Sequence, residues 1–131
     1  MKENPKIGLT GKVEFIVGNE DAIKFDTDKM PAVLSTPMLV GYLEQAARLA
    51  IEPLLEPDES SVGVELEIKH LAPTPIGQKV VCIAKVIYVD GNSITYHIEA
   101  LDQKELIARG THKRAIINAQ RFNRRVEKKN V

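Results

Sequence analysis

Hydrophobic and polar positions change period twice along the chain. Leu9 to Val17 (LTGKVEFIV) reads as a short strand, and Gly18 to Ser35 as an irregular stretch with turn formers and Pro31. From Thr36 the period becomes helical. At about 100° per residue, Met38, Leu39, Tyr42, Leu43, Ala46, Ala47, Leu49 and Ala50 share one broad apolar face, and Gly41, Glu44, Gln45, Arg48 and Glu52 share the other. Thr36 is placed to cap this helix, with Pro37 at its first position, where a missing N–H costs nothing. Pro53 and Pro57 stop it. After Ser60 the period is two: Val62, Val64, Leu66 and Ile68 alternate with Gly63, Glu65, Glu67 and Lys69. Val80 to Val89 is a near-continuous apolar strand rich in β-branched residues, and Asp90-Gly91 signals a hairpin. Ile94 to Leu101 alternates again. A turn near Asp102 to Lys104 leads into a last strand, Leu106 to Ile117. The tail from Asn118 is basic and lacks a good apolar period.

The predicted order is strand, long helix, then four strands, at least three of them joined as a meander. One helix followed by an antiparallel sheet is α+β. The broad apolar arc suits a helix covered on most sides, so the expected arrangement is a hotdog fold, an antiparallel sheet wrapped around one long central helix. A single sheet leaves exposed edges, so a homodimer with a continuous sheet is expected.

Composition narrows the function. With 131 residues and 44% hydrophobic content, the whole chain, residues 1–131, is expected to form one domain, with the basic tail from about residue 118. The formal net charge is zero, so no overall charge draws the chain to nucleic acid or a membrane. Trp is absent, which weakens base stacking as a function. No segment reaches the ~18 apolar residues of a membrane span. The single Cys82 and an N-terminus without a signal-like apolar run point to the cytoplasm.

The candidate chemistry is sparse. Thr36 at a helix start reads first as a plain cap, a reading compatible with free N–H groups and a partial positive charge that can stabilise a developing oxyanion there. Glu44 borders the apolar arc beside Val40 and Ile51, with Arg48 one turn on. That is either a solvated pair or a carboxylate at a dimer seam. Eight residues separate it from Thr36, about 12 Å of helix rise, so a shared site needs a partner strand or chain. His70 ends a strand before a proline turn; a neutral imidazole there can orient a hydroxyl or take its proton, or it is structural. His97 and His112 read as structural, and Cys82 as a small core residue. Three dispersed histidines and one cysteine make no zinc pattern, and no metal or other cofactor is expected. No P-loop, dinucleotide fingerprint, G-x-S-x-G elbow or H-E-x-x-H occurs; "GLTGKVEF" holds G-x-x-G-K at the wrong spacing and without a following helix.

Four segments in order carry a resemblance: "TPMLVGYLEQAARLA", "SSVGVELEIKH", "HLAPTPIG", and "GTHKRAIIN" with the following "RFN". Over roughly Gly8 to Lys128 the chain resembles the hotdog-fold thioesterase family typified by fluoroacetyl-CoA thioesterase. The resemblance implies a homodimeric acyl-CoA thioesterase without cofactor. It implies catalytic roles for Thr36, Glu44 and His70, with either Thr36 or water attacking the thioester. It implies further that Gly63 lies near the thioester and that Arg114 belongs to the CoA-binding region. The chain departs from the family's typifying member in having Pro37 after the threonine. The segment before the helix, "TDKMPAVLS", has Met30 where the typifying member places gating phenylalanines, so the resemblance does not carry selectivity for a fluorinated acyl group. Met30 is nonetheless taken as a substrate-side residue. Some of the tail cations, with Arg114, are candidates for CoA phosphates. A non-catalytic hotdog acyl-CoA binding protein and a hotdog enoyl-thioester hydratase remain alternatives, although the acidic–histidine dyad usual for the hydratase is not seen.

Overall fold

The computed structural model describes residues 1–25 and 29–130. Among these residues seven strands and two α-helices follow in the order β1 (Thr10–Ile16), β2 (Ala22–Ile23), β3 (Val33–Leu34), α1 (Thr36–Ile51), β4 (Glu59–His70), β5 (Lys79–Asp90), β6 (Ser93–Leu101), β7 (Leu106–Asn118) and α2 (Ala119–Glu127). Five strands form an antiparallel sheet in the order β1-β5-β6-β7-β4. β5, β6 and β7 are the expected meander, and β4 and β1 are its two edges. β2 and β3 make a separate small hairpin inside the stretch that reads as irregular. Residues 26–28 of that stretch lie outside the described residues.

The sheet curls over α1. Leu39, Leu43, Ala46, Ala47, Ala50 and Ile51 of the helix are buried against Val80, Cys82, Ala84 and Val86 of β5 and Tyr96, Ile98 and Ala100 of β6. The small residues let the helix close on the sheet: a Cβ on Gly11 of β1 would run into the Ala46 carbonyl and Ala50. The apolar arc is narrower than its periodicity suggests. Met38 and Leu49 stay exposed, while Ile51 is fully buried. After Ile51 the chain tightens into one 3-10 turn, Glu52–Leu54, which Pro53 accommodates near its start.

Three local expectations change. The α1 cap is Ser35, not Thr36: Ser35 is extended and its hydroxyl accepts from Met38 N at 3.4 Å, so Thr36 and Pro37 are the first two helical residues. The alternation of β4 is broken by a bulge, with Val64 inserted between Gly63, opposite Arg114, and Glu65, opposite Lys113. Ser61 and Gly63 therefore share the inner face with Leu66, Ile68 and His70, and Val64 is turned out, 55% exposed. The basic tail is helical: Asn118 caps α2 by accepting from Arg121 N, and no residue of α2 is buried. Among the described residues no helix is long and apolar enough to cross a membrane.

Candidate active site

The start of α1 is held from several sides. Asp21, almost fully buried, accepts from the Tyr42 hydroxyl and from Gly18 N, both at 2.8 Å. That hydrogen bond, with burial, pushes the Tyr42 hydroxyl up to about 12. Tyr42 also stacks on Phe15 of β1, ring centroids 3.7 Å apart. The Asp21 carbonyl takes Ser35 N, and the carbonyl of buried Thr74 takes Leu34 N, both at 2.8 Å. The Thr74 hydroxyl in turn donates to Asp102, which caps the β6–β7 turn through Lys104 N and Glu105 N. The turn carrying "HLAPTPIG" is thus tied to both β3 and the sheet, and it fixes where β4 ends.

That end brings His70 to Thr36. Oγ1 of Thr36 and Nδ1 of His70 are 2.8 Å apart. Because Ser35 caps the helix, the Thr36 hydroxyl is free for this contact. Desolvation pushes the His70 pKa below its usual value, with the Ala72 backbone opposing the shift. The ring is neutral near pH 7, and in the tautomer protonated at Nε2 it accepts the Thr36 proton on Nδ1. Nε2 itself is buried and unpartnered. The pair borders an open cleft of about 400 Å³, walled mainly by Ile23, Val33, Leu34, Leu71, Ala72 and Pro73. Donors at the helix start are scarce: Pro37 has none, Met38 N goes to Ser35 Oγ and Leu39 N to Ser35 O.

Glu44 stands elsewhere. Its partner is Arg114 of β7, not Arg48: Oε2 lies 3.5 Å from Arg114 Nη1, with Glu44 41% exposed and Arg114 nearly buried. Arg114 is fixed by Ser61, donating from Nε to the hydroxyl and from Nη2 to the carbonyl, both at 3.0 Å. His112, two residues back on the same face, sits with Nε2 3.3 Å from Arg114 Nη1 and Nδ1 2.9 Å from the Glu65 carbonyl. Burial lowers the pKa of both His112 and Arg114; for His112 the Arg114 charge adds to the fall, and for Arg114 the Glu44 carboxylate opposes it. Gly63 completes this group, since a Cβ there would lie 2.6 Å from Glu44 Oε2 and 3.3 Å from His112 Cε1.

One chain therefore carries two separated polar groups, Thr36 with His70 and Glu44 with Gly63 and Arg114. Met30 joins neither: it is 50% exposed and lines no part of the cleft. Ser35, Ser61 and His112 are the polar residues whose parts were not legible. The signal available for His112 was its i, i+2 spacing from Arg114, which places both on one strand face.

Comparisons with known proteins bear on the family and the fold. Residues 17–120 match the family model described as "FlK: Fluoroacetyl-CoA-specific thioesterase". A fluoroacetyl-CoA thioesterase from Streptantibioticus cattleyicolor is 31% identical over 98% of this chain and 97% of its own. A crystal structure of a phenylalanine-to-alanine mutant of the fluoroacetyl-CoA-specific thioesterase FlK, in complex with fluoroacetate and CoA, superposes with a TM-score of 0.83 at 30% identity, covering 91% of this chain and 100% of that one. A thioesterase superfamily member from Thermus thermophilus does so with a TM-score of 0.85 at 28% identity, over 98% and 96%. A hot-dog-like protein from Thermanaerovibrio acidaminovorans, 24% identical with a TM-score of 0.85 over 93% and 90%, shares the fold. With the curled sheet, the central helix and the match over most of its length, the chain belongs to the fluoroacetyl-CoA-specific thioesterase (FlK) family and has the hotdog fold.

Proposed function

We propose that this protein is a thioesterase hydrolysing a small acyl-CoA, with the Thr36–His70 pair at its centre. The observation carrying this reading is the 2.8 Å contact between a threonine hydroxyl released from capping and a histidine kept neutral by burial. His70 Nδ1 takes the hydroxyl proton as Oγ1 attacks the thioester carbonyl. The tetrahedral oxyanion sits at the positive end of α1 and against the Gly63 backbone of a second copy. As the C–S bond breaks, the proton on His70 passes to the departing CoA sulfur. Water, oriented by Glu44 and activated by His70, then hydrolyses the acyl-threonine and restores the hydroxyl. Arg114, fixed by Ser61, holds the Glu44 carboxylate in place beside the acyl group. Glu44 cannot reach Thr36 within one chain, because eight residues of α1 lie between them, about 12 Å.

A homodimer resolves the separation. β4 is an edge strand of twelve residues. Antiparallel pairing of β4 with its own copy, centred near Leu66 and Glu67, would set Gly63 and Glu44 of one copy opposite His70 and Thr36 of the other. The lone buried thiol of Cys82 suits a reducing compartment, and the activity is placed in the cytoplasm on that ground.

Free-thiol release from acetyl-CoA and other short acyl-CoAs tests the reading. Thr36→Ala, His70→Ala and Glu44→Gln are each expected to lower kcat by about 10²–10⁴-fold. Absence of thiol release from every acyl-CoA, with CoA binding retained, would favour the binding-protein reading instead. Hydration of crotonyl-CoA without thiol release would favour the hydratase.

A further inference from the structure

The C-terminal helix is unusual in a chain of zero net charge. Arg121, Arg124, Arg125, Lys128 and Lys129 face only one nearby acid in sequence, Glu127. Among the described residues none of these five cations has an ion-pair partner. The helix is nevertheless fixed at its start: Asn118 Nδ2 donates to Asp58 at 3.0 Å, and Ala119 N donates to the Asp58 carbonyl at 2.8 Å. Arg121 and Arg125, one turn apart, flank the half-exposed Phe122. Together with Asn92 of the β5–β6 turn, Ile116 and Asn118 they line a cleft of about 410 Å³. The acid in that cleft, Glu59, is already engaged by the N-terminal ammonium at 2.6 Å and by Glu56 N at 2.9 Å. The cleft is therefore cationic with an aromatic wall.

We infer that this cleft binds the phosphoadenosine end of the CoA substrate, with Arg121 and Arg125 on its phosphates and Phe122 against its adenine. Two guanidiniums one turn apart match phosphate oxygens, and an aromatic ring offers a stacking face for a base. The position fits. From Arg114, beside Gly63 and Glu44, the strand β7 runs four residues to Asn118 at the foot of α2, about 13 Å at 3.3 Å per residue. An extended pantetheine arm spans that distance, so the nucleotide reaches α2 of the same copy that supplies Gly63.

This inference rests on the thioesterase reading, and the experiment separates the two. In the Arg121→Ala/Arg125→Ala double variant, KM for acetyl-CoA is expected to rise about tenfold with kcat unchanged, while KM for acetyl-pantetheine, which lacks the nucleotide, stays at the wild-type value. Calorimetric titration with adenosine 3′,5′-bisphosphate, which needs no catalysis, is expected to show binding to wild type weakened at least about fivefold in the double variant. If no thioester is hydrolysed yet this titration behaves as expected, only the catalytic reading fails. An unchanged KM for acetyl-CoA, a parallel rise for acetyl-pantetheine, or equal affinity for the bisphosphate in both proteins would overturn the site. So would unchanged acetyl-CoA kinetics in a double variant that has lost binding to anionic lipid vesicles.

Discussion

At the level of single residues, the site depends on a division of labour between two neighbours. Ser35 and Thr36 are both side chains that cap helices well, and the sequence favours Thr36 because Pro37 follows it. The fold decides otherwise. The carbonyl of Asp21 holds Ser35 N, Ser35 adopts the extended cap geometry, and Thr36 is left with a free hydroxyl facing His70. No local propensity distinguishes the two, since the choice is made by Asp21 and Thr74 from other parts of the chain. His70 as a strand-end residue was legible, but its partner was set by a turn fastened through Thr74 and Asp102. The electrostatic consequence can be measured. Burial disfavours the imidazolium, so the base form of His70 persists below the usual histidine pKa of 6.5. The acidic limb of the kcat/KM profile is expected to have its midpoint below 6.5, with activity lost only as pH falls through that lowered value. A limb centred above 6.5 would contradict a His70 base whose imidazolium is disfavoured by burial.

At the level of elements, the bulge in β4 matters most. Strict alternation would put Val62 and Val64 on the face with Leu66 and Ile68, and would point Gly63 away from the helix. Inserting Val64 as an extra residue reverses the face, so that Gly63 meets Glu44 while His70 still meets Thr36. A bulge leaves the hydrophobic pattern nearly intact, which is why periodicity shows the strand but not its kink. Helix α2 was hidden for a related reason: it buries nothing, its short apolar stripe of Ala119, Phe122 and Val126 stays unburied and set among cations, and only Asn118 as a cap marks its start. Gly63→Ala tests the bulge. The added Cβ would lie 2.6 Å from the Glu44 carboxylate, the end of a flexible and partly exposed side chain, so the carboxylate swings aside and the fold survives. The expected result is a kcat about tenfold lower with an unchanged unfolding midpoint. Unchanged kcat would remove Gly63 and the carboxylate position from the site.

At the level of the whole molecule, the sheet order leaves β4 at one edge, with His70 at its end and Gly63 along it. The fold class was legible because one broad amphipathic helix and a run of alternating strands admit few arrangements. The separation of Glu44 from Thr36 was legible too, from helix rise alone. What periodicity does not carry is where a second copy sits, because register between chains depends on side chains at the free edge. If each active site takes Thr36 and His70 from one copy and Glu44 from the other, two inactive variants can repair each other. Thr36→Ala and Glu44→Gln proteins, unfolded together in equal amounts and refolded, form mixed dimers with one intact site apiece. Acetyl-CoA hydrolysis is then expected to return to about a quarter of the wild-type rate, since half of the dimers are mixed and each carries one of two sites. Activity no greater than the mean of the two variants, with mixed dimers present, would contradict a site shared between copies.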